Sequence, residues 1–178
     1  MIILSIQEFQ WINGPDDDPG DQCAHGRVLF RVNDTEFIKP EDGIWTVSAS
    51  ALYLLRTLSE NHTVDHSVAE GNFLFPHCGF HVWLSGERFK VMCMGCSNGI
   101  DLEITHHKGV VAIKSVVSSE IVPESEWTRA VLAFADSVEK FYQSSLPKAA
   151  IEDKIERQGW TAFWQEWDER YQLAKAGG

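Results

Sequence analysis

The sequence predicts an α+β domain with a mostly antiparallel sheet, one inserted helix and two C-terminal helices packed on it. Three observations predict it. Short alternating apolar runs broken by turn signals dominate residues 1–122, helical spacing appears once inside them at about 46–61, and residues 123–174 read as helix. Strands in neighbouring hairpins followed by segregated helices are the pattern of that class. At 178 residues, with 44% hydrophobic content and seven tryptophans, the chain suits one well-packed domain spanning 1–178.

In chain order, Ile2 to Ile12 alternates loosely and stops at Asn13-Gly14-Pro15. The acidic stretch Asp16 to Asp21 follows as a loop. Arg27–Val32 and Glu36–Ile38 flank Asn33-Asp34-Thr35 and predict a hairpin. Leu52, Leu55 and Leu58 then recur at helical spacing behind Thr46 or Ser48 as N-cap. Asn72–Phe75 reads as a short strand stopped by Pro76. Phe80–Leu84 and Arg88–Val91 predict a hairpin around Ser85-Gly86, and Asp101–Thr105 with Val110–Ile113 predict another around Lys108-Gly109. Pro123 opens a helix in which Trp127, Val131, Phe134, Val138 and Phe141 form one apolar stripe. Pro147 ends it, and a last helix is expected from about Ala149 to Leu173.

Charge narrows the function. The chain carries 15 Lys+Arg against 26 Asp+Glu, a formal net of −11. Such a surface repels phosphate backbones and steers basic proteins toward it, so nucleic-acid binding is disfavoured. Charged residues interrupt every apolar run long before membrane-spanning length, so no membrane partner is expected. The opening Met1-Ile-Ile-Leu-Ser-Ile-Gln-Glu has no basic n-region and turns polar early, which points to the cytoplasm. Cys23, Cys78, Cys93 and Cys96 then read as thiols or metal ligands before disulfides.

The cysteines carry one metal hypothesis. If Ser85-Gly86 is a two-residue loop, Leu84 faces Glu87, His81 faces Lys90 and Cys78 faces Cys93. Cys96 and His77 lie close by in sequence, so His77, Cys78, Cys93 and Cys96 would surround a tetrahedral zinc. The competing reading makes Cys78 and Cys93 small buried hydrophobes, and no cofactor is the main expectation. A Cys93–Cys96 redox pair lacks βαβ context.

Other constellations give less. His62 and His66 have helical metal-ligand spacing without the adjacent glutamate base, and read as an exposed loop. His106 and His107 point to opposite strand faces and read as surface histidines. Asp16, Asp17, Asp18 and Asp21 miss the EF-hand pattern, because Gly20 falls at position five and Arg27 at twelve. They read as a solvated turn or as an acidic finger presented to a basic partner, with Glu41 and Asp42 as a second acidic loop. Glu152-Asp153-Lys154 lies in a predicted helix, where a nuclease needs a strand and a second acid. Nucleophile elbow, P-loop and dinucleotide fingerprints are all missing, and no enzyme activity is expected. In the last helix Trp160, Trp164, Trp167 and Tyr171 share one face with Phe163 at its edge, while Glu166, Asp168, Glu169 and Arg170 point elsewhere. The stripe is read as core, with an exposed aromatic anchor as the alternative.

The Asp16–Asp21 loop, Phe75-Pro-His-Cys-Gly-Phe80, Cys96-Ser-Asn-Gly-Ile-Asp101 and Gly159-Trp-Thr-Ala-Phe-Trp-Gln-Glu-Trp167 together resemble the immunity proteins of bacterial polymorphic-toxin systems. The likeness is one of type, and these proteins have many unrelated folds. It implies a cytoplasmic protein that binds a cognate, basic toxin domain and blocks its active site. Carboxylates would pair with the toxin's Arg and Lys, with Asp16, Asp17, Asp18, Asp21, Glu41 and Asp42 as contact candidates. The alternatives are a non-catalytic adaptor that binds without inhibiting, and a zinc-binding protein using the cysteines.

Overall fold

The structure is a computed structural model describing residues 1–14, 16–86 and 88–177. Its centre is helix α1 (Val47–Arg56), all ten residues of which are buried. Its sequence Val-Ser-Ala-Ser-Ala-Leu-Tyr-Leu-Leu-Arg explains this, since a helix without a charged face before its last residue has no side to give to water. The predicted helix continued to about residue 61. The α-helix stops at Arg56, and Thr57 to Ser59 follow as hydrogen-bonded turns, with Leu58 N–H donating to Leu55 O and Ser59 N–H to Arg56 O.

Around α1 the described strands pair only antiparallel and form four small sheets. Strands β1 (Ile2–Gln10), β2 (His25–Val32) and β3 (Thr35–Ile38) make the first. The β2–β3 turn uses Asn33 in the left-handed region. Strands β8 (Glu103–His107), β9 (Val110–Lys114) and β10 (Ser119–Pro123) make another. The β8–β9 turn falls at Lys108-Gly109 as expected and is a two-residue loop, with both residues at positive φ. Strand β10 was not foreseen, because its only buried residue is Val122 and alternation barely shows. Strands β4 (Phe75–Pro76) and β7 (Gly99–Ile100) pair as two residues each, so most of the strand expected at Asn72–Phe75 is loop. The α+β class stands, with one contiguous apolar core.

The hairpin of β5 (His81–Leu84) and β6 (Val91–Met94) corrects the sequence reading. Leu84 pairs with Val91 and Val82 with Cys93, so the connection spans residues 85–90 instead of two. Phe89 causes the difference. It leaves the strand for the core, 3% exposed, and lies under the Arg56 guanidinium, 4.0 Å from ring centroid to Cζ.

Helix α2 (Glu124–Ser144) follows Pro123 as expected and packs on β1 and α1. Helix α3 (Lys154–Ala176) starts five residues later than expected. Asp153 caps it by accepting the Glu156 amide, while Ala149 N–H donates to Pro19 O and keeps the preceding segment on the acidic loop. The aromatic stripe of α3 is core. Trp160, Phe163, Trp167 and Tyr171 are buried and Trp164 is partly buried against Tyr142. Glu166, which the helical wheel placed off the stripe, is buried too and pairs with Arg56 at 2.8 Å. Among the described residues no helix is long and apolar enough to cross a membrane.

Candidate functional site

The acidic loop is tied down rather than free. Asp17 pairs with Lys148 at 2.8 Å and accepts the Leu146 amide; the Lys148 hydrogen bond holds its carboxyl below the usual range. Lys148 itself sits over the Trp11 ring, 3.1 Å from the centroid. Asp21 accepts the amides of Ile12 (2.6 Å) and Cys23 (2.9 Å), and Asp18 accepts that of Gly20 (2.8 Å). These bonds replace secondary structure for a segment that has none. Asp16 and Asp18 remain exposed. Glu41 and Asp42 sit in a 3-10 turn, Pro40–Asp42, where Asp42 accepts the Lys39 amide; both are exposed and neither lines the hollow described next.

That hollow, of about 230 Å³, lies beside the loop. Ile12, Cys23 and Phe80 give it an apolar lining, and Asp18, Asp21 and Glu156 bring three carboxylates; no Lys or Arg is among its described lining residues. Glu156 reaches it from the first turn of α3, with His81 4.0 Å away. Apolar side chains and carboxylates lining one hollow match a Lys or Arg side chain, whose methylene stem and charged head want those two surroundings.

Phe80 connects this hollow to the second feature, because the segment 77–80 that ends in it begins with His77 and Cys78. The structure brings three of the four proposed metal ligands together. Donor atoms of His77, Cys78 and Cys96 all lie within 4.8 Å of one another. Two backbone segments carry them, fixed by the β4–β7 pairing and by His77 N–H donating to Asn98 O at 3.1 Å. Thr46 donates to the His77 carbonyl and Asn72 to that of Cys78. Gly99 lets the second segment pass, since a Cβ there would meet Phe73 at 2.4 Å.

Cys93 does not join them. It is buried opposite Val82, and burial pushes its thiol up to about 11. The six-residue connection moved it away from Cys78 and left it a small core hydrophobe, the competing sequence reading. Cys23 is buried as well. In the cluster itself, burial and the contact with Cys96 push Cys78 up to about 11, while the hydrogen bond with Cys78 holds Cys96 below the ordinary thiol value.

His62 is not an exposed loop residue. It is 1% exposed, bonds Asp101 at 2.9 Å through Nε2 and accepts the Val68 amide on Nδ1, so it is a structural tie. His106 is partly buried, its ring between Thr57 O and Glu124. Sequence reasoning also missed a cleft of about 770 Å³ beside α1, α2 and the end of α3, walled by Leu55, Leu58, Leu132 and Leu173 with Arg129, Arg170 and Lys175 at its edge. The step-three, step-four stripes marked which helix faces are buried, but not where two such faces part. Compared with protein-family models, curated proteins and solved structures, the chain has no match.

Proposed function

We propose that this chain is a binding inhibitor of a basic protein, of the immunity-protein type, acting in the cytoplasm on a cognate toxin domain. The observation that supports this reading is the hollow, lined by three carboxylates together with Ile12, Cys23 and Phe80, in a chain of net charge −11. An Arg or Lys of the partner enters the hollow, and the exposed Asp16 and Asp18 steer its approach. Asp17 and Asp21 act differently from the other candidates. Their carboxylates hold the loop in shape, and the partner meets the shape they maintain. Glu41 and Asp42 contribute to the long-range field. The action is occlusion, with no chemical step by this chain.

The test removes charge while keeping shape. Tagged protein captures its partner from lysate at low and moderate salt, and the purified pair is measured with wild type and with Asp18→Asn/Glu156→Gln. The reading expects a basic partner, affinity reduced at least about tenfold, or about 1.4 kcal/mol, in the double variant, and a shallower salt dependence. Unchanged affinity in the variant removes the hollow from the interface. A partner that is bound but keeps full activity makes the chain an adaptor instead.

A further inference from the structure

His77 and Cys78 directly follow β4, and Cys96 lies in the segment between β6 and β7. The sequence separation between them is closed by the pairing of Phe75 with Ile100 and Pro76 with Gly99. His77 Nδ1 lies 3.4 Å from Cys78 Sγ and 3.9 Å from Cys96 Sγ. A tetrahedral zinc with bonds of about 2.3 Å to sulfur and about 2.05 Å to nitrogen requires sulfur–nitrogen edges of about 3.6 Å. The two observed edges bracket that value, and the sulfur–sulfur edge, which the same ion sets at about 3.8 Å, lies within 4.8 Å, so side-chain rotation closes the three donors on an ion. Ordinary side-chain packing does not need an imidazole nitrogen facing two sulfurs. The residue types are those that thiolate- and imidazole-preferring metals select.

We propose that His77 Nδ1, Cys78 Sγ and Cys96 Sγ form a three-ligand site for a zinc-class divalent cation, with the fourth coordination position open to solvent. The cluster is only half-buried, His77 is exposed, and no fourth protein donor joins it among the described residues. Water fills the fourth position, and an added imidazole or thiol replaces it. Both cysteines bind as thiolates, so each ion taken up releases their thiol protons to buffer. Cys93, which the sequence placed in this set, takes no part.

The experiment uses the full chain, reduced and freed of metal, titrated with Co(II) alone. The expected result is one ion per chain, with a thiolate-to-cobalt charge-transfer band and the intense visible bands of a tetrahedral centre. Zinc then displaces the cobalt. Cys78→Ser and Cys96→Ser each abolish the charge-transfer spectrum or weaken binding at least about 100-fold, and His77→Ala weakens it about 10- to 100-fold. Cys93→Ala keeps the spectrum, and circular dichroism establishes that each variant is folded. Added imidazole shifts the visible bands. A reduced, folded chain that gives no such spectrum overturns the site, as does a spectrum that keeps both its intensity and its affinity in Cys78→Ser and in Cys96→Ser. Visible bands indifferent to imidazole overturn the open position.

Discussion

Arg56 carries its charge at the last position of α1, fully buried, so its N–H groups have to find acceptors inside the protein. Glu166 accepts two hydrogen bonds, at 2.8 and 3.0 Å, and the carbonyls of Val68 and Val91 accept one each at 2.7 Å. Glu166 also accepts from Arg170 and from the Lys90 amide, which fixes the long β5–β6 connection to α3. Glu166→Gln leaves the guanidinium without its counter-charge, and the expected loss of stability is about 3–5 kcal/mol by urea unfolding. Burial alone would raise the Glu166 carboxyl, but the hydrogen bonds and charges of Arg56 and Arg170 hold it below its ordinary value. A depressed carboxyl contributes stability that is complete above the ordinary carboxylate pKa and is lost as pH falls through the folded value. Wild type therefore loses stability on acidification below about pH 4.5, and Glu166→Gln loses less over that window. None of this network was legible from spacing. Arg56 falls inside the helix expected over about 46–61 with nothing to mark it as buried, and its partner lies 110 positions away, off the aromatic stripe of α3.

At the scale of elements, α3 and β5 set each other's position through Gly159. A Cβ at 159 would meet the Val82 carbonyl oxygen at 1.8 Å, backbone that has no rotamer by which to withdraw. Helix propensity alone favours Gly159→Ala by about 1 kcal/mol. The close approach reverses the sign, and we expect a net loss of about 1–3 kcal/mol in thermal or urea unfolding. A gain would mean that α3 sits further from β5 than described. Gly159 lies one residue before Trp160 in the aromatic stripe, which was legible because a period near 3.6 with large apolar residues means burial. The β2–β3 and β8–β9 hairpins were legible for a similar reason, as polar or glycine-containing turns set their registers. The β5–β6 register was not. Ser85-Gly86 imitates a tight loop, and only the tertiary attraction of Phe89 for Arg56 reveals the longer one. That one misreading put Cys93 into the metal set.

For the whole molecule, charge and composition were readable at once, and their spatial use was not. The acidic loop was visible as Asp16 to Asp21, yet Glu156, which completes the hollow, comes from a helix more than a hundred residues later. Two of the four loop carboxylates, Asp17 and Asp21, are occupied by Lys148 and by backbone amides. What remains is a hollow lined by Asp18, Asp21 and Glu156 on a protein whose net charge of −11 attracts cations from a distance. The metal cluster stands beside it through the segment 77–80, and the two proposals can fail separately, since one reads partner binding and the other Co(II) spectra. The most direct measurement of the central claim is an inhibition titration of the purified partner, its activity followed against the molar ratio of this chain. The account predicts a linear fall to zero near one equivalent, with Asp18→Asn/Glu156→Gln needing at least about tenfold more protein once concentrations are near the dissociation constant. Full activity of the partner at saturation would contradict it.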